Sequence, residues 1–322
     1  MTENNSGAAN SARTQGSDSP ETQPHVPKPW TSYFRGSKAF FVAALLVSLV
    51  ILALFGPRLK VLARQLMCYR AIQVAATHRL AQRWDEAIHA ANEAVSWLPD
   101  DGHPYLMRGE LRRDAPKGLR DLQGSLDDFN QLIKLSPYFA TGFAGRARTL
   151  QRLGRHQEAI DDYSSAIRLS AEDDDGPWNA RAYARALARI DLEAALEDVE
   201  RAIRMRNERA EGEGFKEPAI ATYLDTRGYI LHLLGHEKEA LTDLDKAIEQ
   251  TENERELWEA KLDSSTENPD LVSLQKLAFE QTLAVMYHHR GEIHQAMGHD
   301  ALSSHDLNKA DTLGFDPDNG VF

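Results

Sequence analysis

Five arginines and five aspartates stand at a spacing that pairs them: Arg108 with Asp128, Arg146 with Asp162, Arg181 with Asp198, Arg227 with Asp243, and Arg290 with Asp306. Three of these pairs are 16 residues apart and the other two 17 and 20. A guanidinium presents a planar fork of N–H donors that fits a carboxylate edge with two hydrogen bonds. Such pairs fix the register of two facing segments, within one folded unit or between neighbours. The competing use is a row of cations that reads anionic ligands. The internal use is expected, because each arginine comes with its own aspartate. Arg146, Asp162, Arg227 and Asp243 are the structural residues singled out on this ground.

Catalytic and metal chemistry finds little to work with. Twelve histidines are present, but His288 and His289 are adjacent and so point about 100° apart on a helix, and His232 and His236 are separated by Gly235. Neither arrangement converges on a metal ion, and no His-Glu-x-x-His occurs. The triplet Asp173, Asp174 and Asp175 lacks the glycine and distal glutamate of a calcium loop. There is no phosphate-cradling glycine loop, no Gly-x-Ser-x-Gly elbow, and a lone cysteine, Cys68. No enzyme, metal or cofactor is expected, and an internal disulfide is excluded.

Arginine and aspartate 16 residues apart can face each other only if the chain folds back between them. Residues 138–171 show how: Phe143, Ala147 and Leu150 make one helical stripe, Gly154 breaks it, and Ala159, Tyr163 and Ala166 make a second. Two antiparallel helices follow. This pattern resembles the tetratricopeptide repeat, in which an aromatic, a small residue, a second Ala and another aromatic recur with a 34-residue period. Related spacing recurs at Ala87, Ala91 and Ala94; at Tyr105, Gly109 and Phe129; at Trp178, Ala182, Ala195 and Val199; at Gly228, Gly235, Ala240 and Leu244; and at Tyr287, Gly291, Gly298 and Leu307. The first unit has Gln82 where the turn glycine belongs, and residues 114–118 read as an insertion in the second. Residues 207–217 read as a polar link, and after Gln250 the period is interrupted by extra residues.

The resemblance implies a right-handed α-solenoid whose concave face is lined by first-helix residues and holds an extended peptide or a partner helix. Those positions fall on Arg148, Asn179, Tyr183, Asp225 and Tyr229, with Ala144, Glu110, His288 and Glu292 beside them. They lack the lysine and asparagine pattern with which the family grips a terminal carboxylate. A mixed aromatic and polar groove for an unidentified protein or peptide is expected instead, the alternative being that both tyrosines pack between helices.

The chain is acidic, with a net charge of -12 over 322 residues, and residues beyond 58 hold 32 basic and 46 acidic side chains, which argues against nucleic acid as a partner. Residues 1–37 are polar and proline-bearing and are expected to be disordered. Within residues 38–57 lies an apolar run of 18 uncharged residues, about 27 Å long as helix, close to the hydrocarbon thickness of a bilayer. The expected architecture is all-α: one transmembrane helix over residues 38–57, then a tetratricopeptide-like solenoid of about six units over residues 58–322 with an irregular insertion near residues 250–280. Its expected function is a membrane-anchored scaffold for protein binding. Self-association, or service as an accessory subunit of a membrane enzyme or quality-control complex, is the alternative.

Overall fold

The computed structural model describes residues 38–213, 219–262 and 268–316, and every regular element among them is a helix. The expected disordered tail of residues 1–37 lies outside the described residues. Two units divide the chain, the first ending at Leu59 and the second beginning at Lys60.

In the second unit the helices pack as successive hairpins. They are α1 (Lys38–Leu80, of which the part from Lys60 belongs here) with α2 (Trp84–Trp97), α3 (Gly102–Asp114) with α4 (Leu122–Leu135), α5 (Ala140–Arg152) with α6 (His156–Leu169), α7 (Gly176–Ala188) with α8 (Leu192–Glu213), α9 (Ala221–Leu233) with α10 (Glu237–Leu262), and α11 (Pro269–Ala296) with α12 (Asp300–Thr312). Each second helix also packs on the next first helix, and α3 meets α5, α7 meets α9, and α9 meets α11. This is the nearest-neighbour stacking of a helical repeat protein.

The stripes read from the sequence form the core. Ala147, Leu150, Ala159 and Tyr163 are buried together with Leu126 of the preceding hairpin and Ala184 of the following one. Turns between the paired helices need a left-handed residue, and Gly154 supplies it at φ +71°, with Arg155 N–H closing back on the Leu150 carbonyl. Gln82 takes the same conformation at φ +54° in the first hairpin, and Arg189 does so in the fourth. A missing glycine therefore does not remove the turn; it places a side chain where backbone strain is of order 1 kcal/mol.

Two stretches differ from the sequence reading. The polar residues 207–213, expected to begin a link, continue α8, with Ala210 buried and Arg206 hydrogen-bonded to both Asp175 and Tyr223. Around the interrupted period the extra residues are helical: α10 and α11 run to 26 and 28 residues and pair through a Trp258–Phe279 ring contact of 5.7 Å. The transmembrane helix expected over residues 38–57 is not met by one unbroken span. No single helix among the described residues is long and apolar enough to cross a membrane; Ala44–Val50 and Ala53–Leu80 satisfy length and composition only as a pair bent by 50°. Pro57 lies within the second of these stretches, and a proline inside a helix crowds the carbonyl four residues back, here that of Ala53, next to the bend.

Candidate functional site

Each arginine of the periodic set sits on a first helix, and four of the five hydrogen-bond to two other helices. Arg146 on α5 donates from Nε and Nη2 to the two Asp162 oxygens at 2.7 and 2.8 Å, and from Nη1 to Asn130 Oδ1 of α4 at 2.9 Å. Arg108 binds Asp128 and Asn92, Arg181 binds Asp198 and Ser164, and Arg290 binds Asp306 and Asp245. Arg227 grips Asp243 through two bonds of 2.7 Å, with Glu200 in the corresponding place of the previous hairpin. The fork closes the hairpin while its third corner ties it to the one before. Arg112 and Arg185, four residues after their respective arginines, add a second cation to Asp128 and Asp198. That spacing of four was the sequence signal for them.

The residues expected to line the concave face divide into two groups. Asn179, Tyr183 and Asp225 are buried, Tyr183 at 3% exposure, and Tyr229 is half-buried. Asp225, Tyr229 and Tyr183 gather around His289 on α11, which the sequence reading weighed only as a metal ligand. Its Nδ1 is 2.9 Å from Asp225 Oδ1, the Tyr229 ring stacks on it at 4.3 Å, and the Tyr183 ring lies 6.2 Å away. Tyr183 and Tyr229 are 6.4 Å apart. The geometry matches the packing alternative for Tyr183, since its ring lies between helices and not on an open face. Burial first, then the Asp225 carboxylate, push its hydroxyl well above the ordinary phenol range; burial and Glu292 do the same, more mildly, to Tyr229. Both therefore stay neutral at physiological pH. Asp225 Oδ2 and Asn179 Oδ1 have no hydrogen-bond partner among the described residues. His289 was hard to foresee because it follows the groove position His288 directly, and one helical step turns it back onto α9.

Arg148 stands apart from this cluster. It is exposed, and it lines a recess of 150 Å³ with Glu110 and Arg113 of α3, Thr141, Ala144 and Gly145 of its own helix, Ala166 and Ser170 at the end of α6, and Asp174 and Pro177 ahead of and within α7. Arg113 is occupied by Asp114 at 2.8 Å. Among the described residues Arg148 forms no ion pair; it lies within hydrogen-bonding reach of the Tyr163 hydroxyl, whose pKa burial raises to about 12. Nothing in the recess resembles a nucleophile held by a base, and among the described residues no cluster of ligands could hold a metal ion. The recess can accept a side chain, with a cation at its wall that no carboxylate pairs among the described residues.

A helical-hairpin stack with a first-helix recess belongs to the class of repeat proteins. The tetratricopeptide repeat profile matches residues 142–173, the third hairpin. No curated protein matches the chain. Among solved structures, the chain is similar to PilW, a widely conserved type IV pilus biogenesis factor, at 12% identity and a TM-score of 0.54, over 78% of this chain and 96% of that one. It is also similar to a structure of the APC/C hetero-tetramer Cut9-Hcn1 at 14% identity and a TM-score of 0.54, over 74% of this chain but only 39% of that one. Identities this low establish the fold, a tetratricopeptide-like stack, and nothing finer.

Proposed function

We propose that the protein is a scaffold that binds a protein partner through the first-helix face of its repeats and is held to a membrane by its N-terminal apolar run. The observation that carries the binding part is Arg148, an exposed guanidinium without an ion pair at the edge of a recess formed by three consecutive hairpins. Glu110, Thr141 and Ser170 surround it with donors and acceptors, while Ala144 and Ala166 leave room for an incoming side chain. A partner with an acidic residue next to a small apolar one fits this wall. Such anchors carry a large share of interface energy when they fill a preformed pocket. The membrane part rests on composition: residues 39–56 carry no charge, and the bent helical pair that contains most of them has the length and apolarity of a span.

The test uses the full chain in its own membranes with a photo-cross-linking residue at Thr141. The native chain is expected to capture a discrete protein, and Arg148→Glu to lose it by about ten-fold while circular dichroism and melting temperature stay within experimental scatter, since the side chain is exposed. Equal capture by Arg148→Glu would sink the recess as the binding site. Alkaline carbonate extraction of the same membranes tests the anchor separately, and release into the soluble fraction counts against it.

A further inference from the structure

In the unit that begins at Lys60, α1 is apolar on two opposite sides. One side is packed: Cys68 and Ala71 lie against Ala94, and Ala75 against Ala87 and Ala91 of α2. Leu62, Leu66 and Tyr69 form the other side and are left 61, 64 and 62% exposed. Their stripe is centred roughly 150° around the helix from the packed one.

Spacing and width decide what covers this stripe. Its steps are four and then three, and the sequence continues them in both directions, through Phe55 and Leu59 before Leu62 and to Gln73 after Tyr69. That is the alternation of a heptad, with Leu59 and Leu66 at a and Phe55, Leu62 and Tyr69 at d. The three exposed side chains span only about 60° of the helix circumference. Such a stripe is the narrow seam between two coiled helices, short of the roughly 100° or more that a helix turns toward a broad apolar body. Charge leaves the seam clear. Lys60 and Arg64 project roughly 150–170° away from it, on the packed side, where Arg64 Nε donates to the Trp97 carbonyl at 2.9 Å. Between residues 62 and 70 the positions flanking the seam hold Ala63, Gln65 and Arg70. Two parallel copies set the Arg70 of each chain against the Gln65 of the other, so no like charges meet. A lipid surface calls for a wide apolar face bordered by several cations, and in this stretch only Arg70 stands near the seam.

We infer that Leu62, Leu66 and Tyr69 of α1 form the seam of a parallel coiled coil with a second copy of the chain. The pairing stands apart from partner capture at the Arg148 recess and rests on the anchor reading for its direction alone, since two chains rising from one membrane run parallel. It makes the first hairpin the self-associating end of the repeat unit, with α2 on one side of α1 and the second copy on the other.

The experiment makes single substitutions in the full chain with Cys68→Ala: Leu62→Cys, Leu66→Cys and Tyr69→Cys on the seam, Val61→Cys and Met67→Cys off it. Each is oxidised with copper phenanthroline in its own membranes. Reducible dimers are expected to form about five-fold faster or more at the three seam positions, because identical a and d positions meet in a parallel pair. The native chain, whose buried Cys68 lies on the packed side, serves as the unlinked control. Sedimentation equilibrium of the detergent-solubilised native chain is expected to give a dimer. Leu62→Glu with Leu66→Glu is expected to raise its dissociation constant about ten-fold or more, with the melting temperature of the hairpins unchanged because both side chains are exposed. Equal rates at all five positions, a monomeric native chain, or a dimer that survives the double substitution overturns the inference. Faster linkage of Leu62→Cys to Tyr69→Cys in mixed chains than of either to itself overturns the parallel pairing. A monomer whose residue 66 is shielded from water by vesicles overturns it as well and gives the stripe to lipid. Capture by the recess and carbonate extraction are read on the same chains, so the recess, the anchor and the seam fail separately.

Discussion

Arg146 shows how one side chain can hold a repeat unit together and join it to its neighbour. Two corners of the guanidinium are taken by Asp162, and the third reaches Asn130 on the previous hairpin. A lysine could not do this, because a single ammonium has no planar fork to divide between partners. Asp162 is 7% exposed and Arg146 partly buried, so removing the carboxylate leaves a charge in a site that water reaches poorly. Asp162→Ala is expected to lower unfolding stability by about 3 kcal/mol. Asn130→Ala should cost less than about 1 kcal/mol, since its partner N–H is exposed enough to turn to solvent. Urea denaturation of both variants reads the difference. If Asp162→Ala leaves stability untouched while partner capture falls, the arginine row serves a ligand and not the hairpins. The fork was legible in the sequence because arginine and aspartate recur together, 16 residues apart in three units and 17 and 20 in the other two. Arg112 and Arg185 were open to the same reading, four residues after Arg108 and Arg181 on the same helix, whereas the bridging Asn130 was not, since it follows from which residue the previous hairpin happens to place within reach.

At the scale of helices, close approach depends on small residues, and the case most open to test is Gly145. A Cβ there would sit 2.2 Å from the ring of Phe129, which is fully buried between α3 and α5 and also leans on Gly109. Replacing a mid-helix glycine with alanine ordinarily stabilises by about 1 kcal/mol. Gly145→Ala should instead destabilise by roughly 1–3 kcal/mol, because the ring has no free volume into which to retreat. A stabilised variant in thermal unfolding would show that α4 and α5 can separate without loss. The helices themselves were readable from apolar spacing, as the buried set Ala147, Leu150, Ala159 and Tyr163 illustrates. Their ends were less so. Residues 207–213 look like a linker by composition, but Asp175 and Tyr223, both distant in sequence, hold Arg206 and keep α8 helical. Tyr183 sits at a groove position by repeat register, yet His289 and Asp225 on later hairpins enclose it. Local pattern cannot contain a contact that another repeat supplies.

Across the repeat unit the core is unevenly rich. From α7 to α12 one continuous cluster joins Val199, Tyr223, Leu224, Ile230, Leu283, Met286 and Tyr287. At the other end the clusters that seat α1 and α2 consist of Ala75, Ala87, Ala90, Ala91 and Leu111, and of Cys68, Ala71 and Ala94. A buried leucine or isoleucine contributes about 1.5–3 kcal/mol by removal from water, and an alanine methyl only a fraction of that. In a stack where each hairpin is stabilised mainly by its neighbours, the end with the smaller interface opens first. Amide hydrogen exchange on the full chain is therefore expected to show α2 and the α1 segment from Lys60 exchanging through openings of clearly lower free energy than α8, α9 and the core half of α11. Uniform protection across all hairpins would mean that the stack unfolds as a single block despite its alanine-rich end, and that the first hairpin draws its stability from somewhere other than its own core.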